Sequence, residues 1–402
     1  MSEALAPADE EGVVTALAEA YDAGVPLEIS GRGSKRGMLR PVQAARGLSV
    51  AGHAGITLYS PQELVIAAKA GTRLDEIEAA VAAHGQHLIA EPPDLSGVLG
   101  VRAPQTLGGV VAANLSGPRR IAGGATRDHV LGVRAVNGRG ELIRSGGRVL
   151  KNVTGLDLCK LLSGSHGTLA VLTEITLKVL PAPERCGTVT LTGIDPTKGV
   201  AALSAALGSP YGVSAAAYLP AGAAARVPAL AWLGAAVALV RVEDFAPSVA
   251  YRTEKLRQEL ARFGRTELLD DGASRNAWRA VRDALPLRGE EGAIWRVSVR
   301  PSAAPAAAAA VVGAFGARWF MDWGGGLIWI AGPPSEAAHD AVVAAARAGG
   351  GTWMLLRAPD GLRAAASVIP QEPPALARIT SAVKAAFDPK GILNPGRMYP
   401  GV

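Results

Sequence analysis

The chain has 402 residues, 49% of them apolar, and a formal net charge of +6. That length accommodates two or three domains with their own cores. Scattered arginines without a basic stripe or interleaved aromatics argue against nucleic-acid binding, and no apolar run approaches the about 18 residues of a membrane span.

Glu10 to Tyr21 has the spacing of an amphipathic helix, and Pro26 to Ser30 that of a short strand. The strand empties into a glycine-rich turn, Gly31 to Gly37. A further strand lies within Leu58–Ala70, and Leu74, Ile77 and Val81 predict a helix over Leu74–His84. Glu91-Pro92-Pro93 predicts an extended loop, because proline disfavours helical backbone in the residue before it. Thr106 to Asn114 reads as a turn into a short helix of small residues. Val130–Val136 and Glu141–Arg144 flank the hairpin signal Asn137–Gly140. From Arg144 to Pro181 the order is loop, helix, the Gly164–Thr168 turn, and a β-rich run.

After Pro183 the glycine-rich turns thin out. Strands are expected at Gly187–Leu191, Ala236–Val242, Ile294–Val299 and Gly326–Ile330, and helices at Val249–Phe263 and Ser335–Arg347. A last helix, Pro374–Phe387, precedes a polar tail ending near Arg397 and Met398. The fold class read from this order is α+β, with domains at 1–182 and 183–370 and a C-terminal strap at 371–402.

Four glycine-rich elements fall in the first half: Ser30–Gly37, Thr106–Gly109, Gly117–Gly124 and Gly164–Thr168. Glycines let backbone N–H groups approach an anion without obstruction, which suits the pyrophosphate of a dinucleotide such as FAD. The first loop has neither the G-x-G-x-x-G spacing of a Rossmann unit nor the GK[ST] ending of a P-loop. Among other polar residues, His166 is placed either at the cofactor or in solvent. Asp157 either pairs with Lys151 or caps a helix, and Asp128 reads as a hydrogen-bond organiser. Arg119 and Arg120 read as an anion-attracting pair or a surface loop. Trp319, Trp323 and Trp329 read as cap core or as an interface.

The segments ISGRGSKRG, PQTLGGVVAAN, TRDHVLGVRAVNGRGEL, LSGSHGTLAVLTEITLKVLP and FDPKGILNPGRM resemble, in this order, the vanillyl-alcohol oxidase / p-cresol methylhydroxylase-type FAD-binding family. SGPRR, RVLKNVTGLDL and the NPGRM ending bring it nearest to the smaller FAD-binding subunits of bacterial glycolate oxidases. The resemblance implies a two-part FAD-binding domain with a smaller α+β cap. It assigns Gly31, Arg32, Gly33, Ser34 and Lys35 to the first pyrophosphate loop. Pro104, Gln105, Thr106, Gly108 and Gly109 match the second, and Arg127, Asp128 and Val130 the segment along the isoalloxazine. Gly164, Gly167, Thr168, Leu169 and Val171 match the turn and strand near adenine and pyrophosphate. Asn394 and Arg397 match the return to the flavin face. With no His or Cys beside the first loop, the FAD is expected to be noncovalent.

The implied activity is oxidation of a small 2-hydroxy acid, glycolate, to its oxo acid. The implied partners are a larger FAD-binding catalytic subunit and an iron–sulfur subunit. Cys159 and Cys186 are the only cysteines, fewer than the four ligands a cluster normally takes, so electrons must leave through a partner. The acidic N-terminus lacks the order of a signal peptide, and the setting read from it is cytoplasmic, with membrane contact only through partners. Trp319, Trp323 and Trp329 with Arg119 and Arg120 are the expected partner contacts. Family members that oxidise hydroxy acids carry a His-rich cap segment, whereas the only cap His here is His339. That departure leaves no catalytic residue assigned and shifts substrate oxidation towards the companion subunit. A stand-alone oxidase of another hydroxy acid, sugar or lactone, and a structural flavin subunit, are the other readings.

Overall fold

The structure, a computed structural model, describes residues 4–147 and 155–401. Lys151 lies outside them.

The first helix, Glu10–Ala23, starts where the Asp9 carboxylate accepts from Gly12 N, and ends at Gly24 with φ 64°. Its buried face is Val13, Leu17 and Ala20. The strand Leu27–Ser30 then pairs in parallel with Arg46–Ser49. Parallel neighbours cannot be joined by a tight hairpin, so the chain between them is forced into a long crossover, and the glycine-rich loop is that crossover. A five-stranded antiparallel sheet follows, in the order Ile56–Ser60, Val65–Lys69, Ala170–Lys178, Val130–Asn137, Leu142–Gly146. The helix Leu107–Ala112 packs on its central strands through Leu107, Val110 and Val111.

The second half is an eight-stranded antiparallel sheet. Its order is Arg265–Leu269, Arg185–Thr192, Val237–Asp244, Val213–Leu219, Arg318–Asp322, Leu327–Gly332, Ala293–Ser298, Thr352–Arg357. Four of these strands were expected; Val213–Leu219, Arg265–Leu269, Arg318–Asp322 and Thr352–Arg357 were not. Helices pack on the sheet, among them Pro196–Leu207, Ala246–Leu260 and Glu336–Ala348. The last helix occupies Pro374–Phe387, as its sequence pattern predicts. Beyond it the chain returns to the first half, where Leu393 bridges in parallel to Leu27. The arrangement is α+β.

One local expectation fails. Glu91, which precedes Pro92, is not extended but has φ 47°. Its carboxylate is gripped by Arg241 and by the Arg119 backbone N–H, and these contacts hold the backbone in the left-handed region.

Candidate functional site

A cleft separates the parallel strand pair from the five-stranded sheet. One wall is the Gly31–Arg36 loop; the other is the start of the Leu107–Ala112 helix with Ala170, Val171 and Leu172. Close approach of the walls explains the small residues. A Cβ on Gly31 would stand 2.4 Å from Thr106 Oγ1, and one on Gly108 would stand 2.8 Å from Ala70 Cβ. Gly33 has φ 78°, a conformation that favours glycine. Thr106 caps the helix, its hydroxyl accepting from Gly109 N at 3.3 Å.

Among the described residues, the N–H groups of Gly33, Ser34 and Lys35 donate to no protein acceptor. Lys35 Nζ donates to Gln105 Oε1 at 3.2 Å and meets Ser34 Oγ at 3.4 Å, and among the described residues no carboxylate pairs with it. Burial lowers its pKa to about 8, which the charge of Asp94 offsets only in part. Free N–H groups on consecutive residues around an under-solvated ammonium make an anion cradle. His166 faces the same cleft. Its burial, with the positive charges of Arg397 and Lys35, drives its pKa to about 3, so the ring is neutral.

The C-terminal return fixes this wall. Asn394 Oδ1 accepts from Ile29 N at 2.7 Å and its Nδ2 donates to His166 O at 2.8 Å. The Arg397 guanidinium donates to the carbonyls of Lys35, Arg36 and Arg40. Both residues border the cleft, yet their hydrogen bonds hold protein backbone. Lys384 Nζ ties Thr168 O, Asp388 and Leu393 O together, closing the strap onto the turn. No sequence pattern singled out Lys384.

Of the residues picked from the sequence, Gly31, Arg32, Gly33, Ser34, Lys35, Thr106, Gly108, Gly109, Gly167, Val171, Asn394 and Arg397 line this cleft together. The others do not line it. Pro104 lies beside Gln105, which reaches the cleft only through Lys35. Gly164 and Thr168 shape the turn, Gly164 N donating to Val111 O and Thr168 Oγ1 to Ser165 O. Leu169 is half-buried between that turn and the strand. Arg127 is exposed, and its backbone N–H donates to Asn114 Oδ1. Asp128 accepts from Ala125 N at 2.8 Å, as an organiser should, and Val130 is buried at the start of its strand. Asp157 caps the Leu158–Leu162 helix and pairs with Lys160.

A second polar cluster sits where the eight-stranded sheet meets the first half, and sequence reading missed most of it. Arg241, fully buried, donates to both oxygens of Glu91 at 3.0 and 2.8 Å. Arg119 donates to both oxygens of Glu243 at 2.9 and 2.7 Å. Burial would raise the Glu243 pKa, but Arg241 and Arg119 outweigh it and bring it to about 2. Asp322 lies deep in the junction; burial raises its pKa to about 7 although it accepts from Trp323 N at 2.7 Å. Trp323 crosses the junction, its Nε1 donating to Gly117 O at 3.0 Å.

These contacts correct the expected partner patch. Arg119 is consumed by Glu243, Trp329 is buried against Phe320, and Trp319 stacks on Tyr218. Trp323 is turned inward to Gly117, so Arg119 and Trp323 serve the junction within the chain, while Trp319 and Trp329 pack in the second half, the cap-core alternative. His339 accepts from Trp295 Nε1 in the core of the second half.

Comparison with known proteins is consistent with this geometry. Residues 2–146 match the model of an FAD binding domain, and residues 360–398 that of the C-terminal domain of FAD linked oxidases. The glycolate oxidase subunit GlcE of Escherichia coli (strain K12) is 36% identical over 375 residues, which is 93% of this chain and 93% of that protein. The glycolate oxidase subunit GlcD of Bacillus subtilis (strain 168) is 42% identical over 93 residues, 23% of this chain and 19% of that protein. In three dimensions, p-cresol methylhydroxylase with substrate bound superposes with a TM-score of 0.72 at 14% identity, over 99% of this chain and 88% of that one. This last likeness is one of fold.

Proposed function

The chain belongs to the FAD-linked oxidase family that includes the glycolate oxidase subunit GlcE, and from that premise we propose that it is the FAD-binding subunit of a glycolate oxidase complex. In this reading the complex oxidises glycolate to glyoxylate and passes the electrons to an iron–sulfur subunit. Bound FAD supplies the two-electron acceptor. The observation that carries the reading is the cradle formed by the Gly33–Lys35 N–H groups and the Lys35 ammonium.

The chain's own residues have distinct tasks. The Gly33, Ser34 and Lys35 N–H groups and Lys35 Nζ hold the pyrophosphate. Thr106, Gly108 and Gly109 carry the opposite wall. Asn394 and Arg397 keep the first loop from opening. Arg127, Asp128 and Val130 belong to the isoalloxazine side, and Gly164, Thr168 and Leu169 shape the turn behind the cleft. The FAD is held without a covalent bond. Cys159 and Cys186 are buried and do not line the cleft, and His166 lies beside Lys35 and Arg397 at its phosphate end.

The domain limits go with this reading: 1–182 for cofactor binding, 183–370 for the cap and 371–402 for the strap. A companion flavin subunit and an iron–sulfur subunit complete the electron path, because two cysteines cannot supply a cluster. Among the described residues no helix is long and apolar enough to cross a membrane. A cytoplasmic setting, with any membrane contact made through partners, follows as part of the proposal.

The test is affinity capture of the tagged chain from its native cells grown on glycolate. The expected result is a yellow complex containing iron, with glycolate-dependent dye reduction and flavin released on acid precipitation. A colourless chain overturns the flavin reading. A yellow chain captured without iron, equally active alone, replaces the complex with a stand-alone enzyme. Flavin remaining in the acid pellet overturns the noncovalent link.

A further inference from the structure

Four arginines gather at the junction of the two halves, and only two of them have carboxylate partners. Arg119 and Arg241 are neutralised by Glu243 and Glu91. Arg120 and Arg296 are not: among the described residues, no carboxylate lies within ion-pair distance of either. Instead both guanidinium carbons lie over the indole of Trp323, at 4.7 and 5.5 Å from its centroid, and Arg296 also lies 4.9 Å from that of Trp329. The buried Nε of Arg296 has no hydrogen-bond partner.

Stacking on an aromatic ring satisfies the flat faces of a guanidinium. Its N–H groups point outward in the plane and still need acceptors, and their fork matches a carboxylate. Two stacked arginines close enough to repel one another, one with a sealed donor, leave a desolvated positive charge that an anion would relieve. Burial and the charge of Arg120 bring Arg296 down to about 10, the direction expected of a cation without its counter-ion. The charges of Asp322 on Arg296 and of Asp128 on Arg120 act only at longer range: among the described residues neither acid reaches ion-pair distance, and both arginines stay below their ordinary value.

The position is also telling. Trp323 is fastened to Gly117, four residues past Ala113 on the rim of the cofactor cleft. Four residues span at most about 14 Å. The arginine pair therefore stands at the end of the segment that runs out of the cleft, between the cofactor domain and the cap sheet.

We infer that Arg120 and Arg296, stacked on Trp323, form a seat for the carboxylate of a small 2-hydroxy acid at the domain junction. The inference rests on the FAD-subunit reading for the identity of the acid, and gives this subunit a carboxylate site of its own.

Oxalate, an unreactive dicarboxylate, tests it on the full-length chain in its flavin-loaded complex. Binding is read from the visible flavin spectrum and from tryptophan fluorescence, with glycolamide as the uncharged comparison and inorganic phosphate as a competing anion. Oxalate should perturb both signals, and glycolamide neither. Arg120→Met and Arg296→Met should each weaken oxalate about 10- to 100-fold, the loss of one charge-assisted contact, and Arg296→Lys should weaken it less. Flavin content reports folding. If Arg296→Met loses flavin, the half-buried Arg120 variant decides. Unchanged oxalate affinity in Arg120→Met, or phosphate binding more tightly than oxalate, overturns the seat. Wild-type complex that retains FAD but ignores oxalate overturns the seat and leaves the flavin reading standing, whereas a flavin-free complex removes both.

Discussion

Arg397 and Lys35 are 362 positions apart in sequence, and the arginine Nη2 donates to the lysine carbonyl at 2.6 Å. The last turn of the chain thus sets the shape of its first cofactor loop. Two more carbonyls, of Arg36 and Arg40, share the same guanidinium. Arg397→Met removes this donor from three carbonyls; Lys35 O keeps Met38 N and Arg36 O keeps the Arg363 guanidinium, so the full penalty of roughly 1–3 kcal/mol for a buried unsatisfied acceptor falls on Arg40 O. The expected outcome is a lower melting temperature together with weaker FAD binding. Arg397→Lys should recover only part of either, because an ammonium is a point charge and lacks the planar fork. Calorimetry and flavin fluorescence measure the two effects; a variant with full FAD occupancy and an unchanged melt would show that the strap does not support the loop.

The two glycines of the first loop should fail for different reasons. At Gly31 the new methyl of Gly31→Ala stands 2.4 Å from the Thr106 hydroxyl, the cap of the opposite wall. Both walls must then shift, and FAD affinity should fall by more than about tenfold, roughly 1.4 kcal/mol. At Gly33 the added carbon meets Arg36 Cδ at an ordinary 3.5 Å, so Gly33→Ala carries only the left-handed backbone cost of about 1–2 kcal/mol. Gly33→Asp adds a carboxylate to the cradle and should lose most bound flavin. Equilibrium titration of the three variants gives the order, and equal losses for the two alanines would contradict the contact argument.

These glycines were legible in the sequence because a close approach leaves a local mark: Gly31, Gly33, Gly108 and Gly167 each stand in a recognisable short motif. The second half leaves fewer marks. In Val213–Leu219, Ala215, Ala216 and Ala217 are all fully buried, so both faces are covered and no apolar–polar alternation survives. The junction is less legible still. Glu91 and Arg241 are 150 positions apart, and Arg119 and Glu243 are 124 apart; Arg119 stands out only as half of a basic pair, and the other three look like ordinary charged residues until the fold joins them. The left-handed backbone of Glu91 is likewise imposed from outside its own segment, against the preference that Pro92 confers.

That junction predicts an acid sensitivity. Removing one partner of a buried ion pair leaves the other charged and unmatched, so Glu91→Gln and Arg241→Met should each destabilise by about 3–5 kcal/mol. The double variant should cost much less than the sum, which denaturant unfolding in a double-mutant cycle measures. The pH sign follows from the depressed carboxylates. Burial opposes ionisation of Glu243, but Arg241 and Arg119 prevail and its folded pKa falls to about 2, from an ordinary value of 4.5. Its contribution is present above pH 4.5 and is lost as pH falls towards 2. Wild type should therefore lose stability across that window, and Glu243→Gln should show a shallower slope there. Additive costs in the cycle would mean that Glu91 and Arg241 act independently.

Lys35 gives opposite pH trends for the empty and the flavin-bound protein. Without FAD, burial lowers its pKa from 10.5 to about 8, against a small opposing effect of Asp94. The folded chain then binds fewer protons than the unfolded chain between these values, so its stability rises with pH across that interval. An anionic pyrophosphate beside the ammonium favours the protonated form and lifts the pKa of the complex above that of the empty protein. FAD affinity is therefore complete below about pH 8 and weakens above it, by up to about tenfold per pH unit until the pKa of the complex is passed. Flavin fluorescence titrations from pH 7 to 10 would record the affinity, and thermal melts of the flavin-free chain would record the stability. Lys35→Met should bind FAD more weakly at neutral pH and flatten both trends. A variant that kept the wild-type pH dependence of FAD binding would take Lys35 out of the cradle and assign the titration to another group.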